Sequence, residues 1–284
     1  MLLAAAYGRG VPLPPRVEPD GGLVEVADRV WVTRHAPPDV TATVVAGQAG
    51  VLVVDTLGSA AAGRDLLTAV RRLRRGEPVA VVNTHHHVGH AGGNAGLLAG
   101  LTGLGRDVPV LVHEAAATAV PAPAGDLRPL SSVTAVDLGD RVVEVVHPGK
   151  GHTAGDLVVR VPDADLLVVG DLVAGGAPPA YGPDCWPLEW PVTLDLVLQL
   201  LGSGVAVPGH EAPLDRDGVE VQRDQIATVA GTVRALAGGG VPVETALMQG
   251  EADGAWPWPA ERLTEAVRRG YAQLPRSART LPLA

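Results

Sequence analysis

Thr84-His85-His86-His87-Val88-Gly89-His90 follows the apolar run Val79–Asn83, and its reading governs that of the rest of the chain. In an extended stretch residues two apart point the same way, so His85 and His87 can converge on one ion while His86 turns elsewhere. His90 returns after a turn that Gly89 permits. Imidazole is a common zinc ligand, and neutral histidines clustered without an ion leave ring nitrogens that are hard to satisfy by hydrogen bonding. Taken alone, the segment also allows an exposed His-rich loop with no metal.

Three later segments count against that alternative. Gly151-His152-Thr153-Ala154-Gly155-Asp156 places a histidine at a turn between strands. Val168-Val169-Gly170-Asp171 ends an apolar strand on a carboxylate, and Val207-Pro208-Gly209-His210 ends another on a histidine. Each donor stands just past a buried-type strand, where a rigid scaffold presents loop residues to a common edge.

With these segments in place, the chain resembles the metallo-β-lactamase-fold superfamily of metallohydrolases from about Val30 to His210, with Asp55 in Val53-Val54-Asp55-Thr56 as a further signature. The resemblance implies an α/β fold, a four-layer αββα sandwich with the metal centre at one edge between its halves. It implies a first metal site of His85, His87 and His152, a bridging Asp171, and His90 and His210 facing a second site. Asp55 reads as an orienter of the ligands. The usual loop of the family is His-x-His-x-Asp-His, and Gly89 stands here in place of that Asp. The second site thereby loses a charged ligand. One tightly held ion, expected to be zinc, is favoured, with two as the alternative and iron or manganese also compatible with the donors.

Around the motifs the pattern is regular. Leu23–Val26, Val30–Thr33, Thr41–Ala46 and Gly50–Val54 read as strands joined by turns, and Ser59–Arg75 as an amphipathic helix. Val108–Val112, Val133–Leu138, Arg141–Val146, Leu157–Val161 and Leu166–Val169 continue the strand pattern, with a Pro-rich connection over Pro121–Pro129. Helices are expected near Gly93–Leu101, Val192–Leu201, Val219–Ala237 and Pro259–Gln273. Residues 1–20 read as an extended N-terminal arm and 21–284 as a single domain with C-terminal helices.

Composition bounds the rest. The chain has 284 residues, 46% of them hydrophobic, and a formal charge of −9. Its lone cysteine, Cys185, excludes an internal disulfide, which points to the cytoplasm. Met1–Ala6 is too short for a membrane span or a signal core, so no membrane partner is expected. Without a basic run, nucleic acid is not expected either. Lys150, the only lysine, and Asn83 and Asn94, the only asparagines, border the histidine motifs. The asparagines are expected to brace the loop. Lys150, Tyr181 and Trp186 are candidates to hold a small-molecule substrate, and Trp256–Trp258 either caps the pocket or makes a homodimer contact. His35, His113 and His147 fit no ligand spacing.

The function expected is a metal-dependent hydrolase in which metal-bound hydroxide, oriented by Asp171, attacks an ester, lactone, thioester or amide bond. The alternative, motivated by Gly89, is a single-metal, non-hydrolytic enzyme: a decarboxylase, lyase or iron-dependent oxygenase. A non-catalytic scaffold is disfavoured by the retention of the other donors.

Overall fold

The computed structural model describes residues 13–15, 17–37, 39–102, 107–121 and 125–275. Its strands form two sheets. The first has seven strands in chain order: β1 Val24–Ala27, β2 Val30–His35, β3 Val40–Gly47, β4 Gly50–Val54, β5 Pro78–Val82, β6 Pro109–His113 and β7 Asp126–Leu130. Pairing is antiparallel from β1 to β4 and parallel from β4 to β7. The second has five: β8 Val133–Asp137, β9 Val142–Val146, β10 Val158–Val161, β11 Leu166–Gly170 and β12 Val205–Pro208. Only β11 and β12 pair in parallel.

Why β4 and β11 are apolar throughout follows from the layering. In β4, Val51 and Val53 pack under the helices α1 (Ala60–Arg72) and α3 (Asn94–Ala99), while Leu52 and Val54 face the second sheet. In β11, Leu167 and Val169 face α4 (Trp190–Leu201) and α5 (Arg216–Gly238), while Leu166 and Val168 face the first sheet. Alternation vanishes where both faces are covered. The result is the expected αββα sandwich, with the inter-sheet core built from residues such as Val32, Val45, Val82, Val143, Leu157 and Val207.

Helix α1 begins where Ser59 Oγ accepts from the Ala62 N–H at 3.2 Å, and it ends on Arg71 and Arg72, whose charges suit the C-terminal dipole. Its buried face is Leu66, Leu67 and Val70. Three elements depart from the sequence reading. Strand β7 lies in the Pro-rich connection; it is the last strand of its sheet, where Pro129 costs no ladder bond that a further strand would need. Helix α6 (Val243–Ala252) buries only Ala246 and Gly250, so it has no apolar stripe to reveal it. The expected Pro259–Gln273 helix is a short 3₁₀ turn, Ala260–Arg262, followed by α7 (Thr264–Gln273).

Residues 1–12 and 16 of the expected arm lie outside the described residues. Nearer the sheet the chain is packed: Val17 is fully buried between the sheets, its carbonyl accepts from Arg34 Nη1 at 2.8 Å, and Pro19 bridges to Arg34. Among the described residues, no helix is long and apolar enough to cross a membrane.

Candidate metal centre

Five strand ends deliver side chains to one edge. Asp55 follows β4, Thr84 to His87 follow β5, and His90 lies in the short helix α2 (Val88–Ala91). His152 precedes β10, Asp171 follows β11, and His210 follows β12. Backbone hydrogen bonds join the two halves here: Leu157 N–H donates to the Thr84 carbonyl at 2.7 Å, and Thr41 N–H donates to that of Gly209 at 2.8 Å.

Each histidine is anchored through one ring nitrogen. His152 Nδ1 lies 3.0 Å from the Ala180 carbonyl, and His210 Nδ1 bonds the Asp39 carbonyl. A carbonyl only accepts, so in both rings Nδ1 carries the proton. His90 Nδ1 lies 2.8 Å from Asp55 Oδ2, and His85 Nδ1 lies 3.1 Å from Thr84 Oγ1, whose hydroxyl donates to Asp55 Oδ2 at 2.8 Å. His87 is turned the other way, with Nε2 3.1 Å from Asp184 Oδ2.

The opposite nitrogens meet. His152 Nε2 is 2.9 Å from His87 Nδ1 and 3.5 Å from Asp171 Oδ2. His90 Nε2 is 3.3 Å from Asp171 Oδ1, while His210 Nε2 and His85 Nε2 lie 3.2 and 3.8 Å from Asp171 Oδ2. His85 Nε2, His90 Nε2 and Asp171 Oδ1 are buried and have no hydrogen-bond partner. With their other nitrogens protonated, neutral His87 and His152 turn lone pairs toward each other at 2.9 Å, a contact that either a shared proton or a metal cation would satisfy. Among the described residues, His85, His87 and His152 could hold a metal ion, as could His85, His90 and Asp171. His210 meets the cluster through Asp171 rather than as a member of the second group.

Electrostatics agree with that chemistry at His85 and His152, while His90 is drawn toward its protonated form by the carboxylates beside it. Burial, and to a lesser degree the neighbouring imidazoles, holds the His85 conjugate acid well below its ordinary range and that of His152 down to about 4, keeping both rings neutral, the ligand form. Burial opposes charge on His90 too, but Asp171 and Asp55 outweigh it and raise His90 to about 10. Burial likewise opposes ionisation of Asp171, yet the neighbouring His90 and His210 hold it well below the usual carboxylate range.

Gly209 is needed for this approach: a Cβ there would lie 2.1 Å from Asp171 Oδ1 and 2.7 Å from His90 Cε1. Gly89 differs. Among the described residues its one close neighbour would be Val40 Cγ2 at 3.3 Å, so a side chain is accommodated once Val40 yields slightly.

Asp184 is the residue that the sequence reading missed. Its Oδ2 lies 3.2 Å from His86 Nε2 as well as 3.1 Å from His87 Nε2, and the two histidines hold its carboxyl low against the opposing effect of burial. Nothing in the local pattern of Tyr181–Trp190 ties it to a motif nearly a hundred residues earlier.

The expected braces are present: Asn94 Nδ2 donates to Asn83 Oδ1 at 2.7 Å, Thr56 Oγ1 donates to Asn94 Oδ1 at 2.7 Å, and Asn83 Nδ2 reaches the His90 carbonyl at 3.4 Å. Each of the candidate substrate residues packs against a protein neighbour. Tyr181 is buried beside Trp190, with ring centroids 5.0 Å apart, because its ring completes the core under α4. The Lys150 ammonium sits 3.8 Å over the Trp186 ring and 4.0 Å from Glu189, so each of this pair engages the other. Trp256 packs over Gly250 and donates to the Leu247 carbonyl at 3.0 Å, which seats it in the C-terminal helical cluster. His113 and His147 stack on one another at 3.9 Å, with His147 Nδ1 2.8 Å from the Asp156 carbonyl, against the turn that carries His152.

A family model described as the metallo-beta-lactamase superfamily matches residues 35–210, and the chain belongs to that superfamily, whose members are mostly metal-dependent hydrolases. The metallo-beta-lactamase type 2 of Bacillus cereus is 30% identical over 177 residues, 59% of this chain and 65% of that protein. The 2,4-dinitroanisole O-demethylase subunit alpha of Nocardioides sp. (strain JS1661) is 26% identical over 215 residues, 70% of this chain and 60% of that protein. The match thus spans less than two thirds of either relative. Among solved structures, a metallo-beta-lactamase from Pontibacter korlensis superposes with a TM-score of 0.60 at 24% identity, covering 72% of this chain and 98% of that one. A stereoselective inverting sec-alkylsulfatase from Pseudomonas sp. gives 0.70 at 18% identity, covering 89% and 50%. These likenesses show the shared fold.

Proposed function

We propose that the chain is a zinc-dependent hydrolase that cleaves an ester, lactone, thioester or amide bond of a small molecule. The observation that carries this reading is the pairing described above: one nitrogen of each histidine is fixed by the protein and the other faces a shared focus containing the orphaned atoms of His85, His90 and Asp171. His85, His87 and His152 would hold the ion with Asp171 beside them, and His90 and His210 would face a second site.

A bound ion supplies Lewis acidity and lowers the pKa of a water it holds to about 7. The chain supplies the rest. Asp171, kept ionised, accepts a hydrogen bond from the attacking water and orients it toward a carbonyl in the adjoining cavity. Asp55 and Asp184 keep the ligand rings in the tautomers that coordination needs.

Gly89 favours a second reading, a non-hydrolytic reaction at a single metal, because it leaves the second group without the carboxylate usual at that position. Elemental analysis of the purified chain, with turnover of a panel of esters, lactones, thioesters and amides, tests both. Tightly bound zinc with hydrolysis of at least one member is expected, and His87→Ala should lose metal and turnover together. A chain that cannot be loaded with metal sinks both readings; a loaded chain that hydrolyses nothing favours the second.

A further inference from the structure

Beside Asp171 and His210 opens a cavity of about 240 Å³. Val173, Ala174, Ala177, Pro178 and Ala180 form its wall, all apolar and mostly small. The remaining side chains on it are Asp39 and Glu211, both acidic, together with the two site residues. No lysine or arginine lines it among the described residues. The cations that belong to this region are engaged: Arg34 holds Asp39 through Nε at 2.9 Å and through Nη2, and Lys150 lies over Trp186.

The wall is set before any ligand arrives. Gln222 clasps Ala174 on both sides, accepting from its N–H at 2.7 Å and donating to its carbonyl at 3.0 Å. Glu211 Oε2 accepts from the Ala177 N–H at 2.9 Å. To reach it, Glu211 takes a left-handed backbone conformation, φ 66°, which a non-glycine residue keeps only where the surroundings enforce it. At the far end, the Ala180 carbonyl anchors His152. The same short segment therefore shapes the cavity and positions a ring of the metal centre.

We infer that this cavity is the subsite for a compact, uncharged, apolar acyl or leaving group, and that it selects against a substrate bearing a carboxylate there. The inference rests on the hydrolase reading above and names its substrate class. Size supports it, since the cavity falls below the roughly 300–1,000 Å³ of pockets that enclose drug-sized ligands. Charge supports it as well: a carboxylate entering would lose water and meet the Glu211 carboxylate, and away from the metal edge at His210 no described lysine or arginine lines the cavity to pair with it.

The test separates binding from turnover. Butyrohydroxamic acid and succinic monohydroxamic acid share a metal-binding head and a chain length, and differ in ending on a methyl or a carboxylate. Calorimetric titration of each into the zinc-loaded protein at pH 7.5 should give at least tenfold tighter binding of the first. Ala177→Phe should lower the affinity ratio of butyrohydroxamic to acetohydroxamic acid at least tenfold, and Glu211→Gln should narrow the gap between the two longer acids. Equal or tighter binding of the carboxylated acid by the wild type overturns the inference whatever the variants do, and so does an unchanged ratio in a folded Ala177→Phe. Failure to hydrolyse any member of the ester, lactone, thioester and amide panel, with hydroxamate selectivity intact, would instead count against the hydrolase reading alone.

Discussion

A single oxygen, Asp184 Oδ2, is within hydrogen-bonding distance of both His86 and His87, so one carboxylate settles the ring orientation of a proposed ligand and of its neighbour. Outer partners of this kind typically change metal affinity by roughly 10–100-fold when removed. Asp184→Asn should therefore weaken zinc binding in that range, read by competition with a chromogenic chelator, with little change in far-UV circular dichroism. At Gly209 the constraint is steric rather than electronic. Gly209→Ala pushes a methyl into Asp171 and His90, and the same competition assay should show weaker binding even though no donor atom has been removed. Next to Asp184, the thiol of Cys185 is buried and its pKa is raised to about 12, by burial foremost. It should resist thiol-specific reagents at pH 7.5 in the native protein and react once the chain is denatured.

At the scale of elements, the C-terminal helix reaches the metal edge through that same loop. Arg269 Nε and Gln273 Nε2, both on α7, donate to the Cys185 carbonyl at 3.1 and 3.0 Å, and so hold the backbone that carries Asp184. The double variant Arg269→Ala, Gln273→Ala should raise the reactivity of Cys185 and weaken zinc binding several-fold, both measured on folded protein. Helix α7 itself is legible from its apolar spacing, but its attachment to the histidine loop is not, because Arg269 and Asp184 lie far apart in sequence. Strand β7 and helix α6 show the converse: their local sequences are poor for their conformations, and an edge position or a packed Trp256 decides them.

Across the whole molecule, the proposed ligands come from both halves, His85, His87 and His90 beyond the first sheet and His152, Asp171 and His210 beyond the second. An ion bound among them ties the sheets together in a chain whose only cysteine is unpaired. Free zinc at about a thousand times its dissociation constant should stabilise the fold by ~4 kcal/mol, so chelation should lower the melting temperature. His113 at the end of β6 stacks on His147 beyond β9. Burial, then the neighbouring His147, lowers the His113 pKa from its ordinary value of 6.5. The unfolded chain then binds a proton more readily than the folded one, so this contribution is intact above pH 6.5 and is lost as pH falls from there through the folded-state value. Urea unfolding of chelated protein at pH 7.5 and 5.5 should show a smaller pH effect in His113→Leu than in the wild type.

Taken by itself, the sequence determined the sandwich and the donors at its edge, because a strand that is apolar throughout demands cover on both faces, and a polar residue just past it has one place to go. Val51–Val54 and Leu166–Val169 carry that information locally, as do the spacing of His85, His87 and His90 and the absence of a carboxylate at Gly89. Only the tertiary structure decided which nitrogen of each ring faces the focus, that Asp184 orients His87, that Lys150 lies on Trp186, and that the wall beside Asp171 is apolar and acidic. Those facts depend on contacts between residues distant along the chain, whose strength is set by distance and burial in three dimensions. No local pattern encodes them.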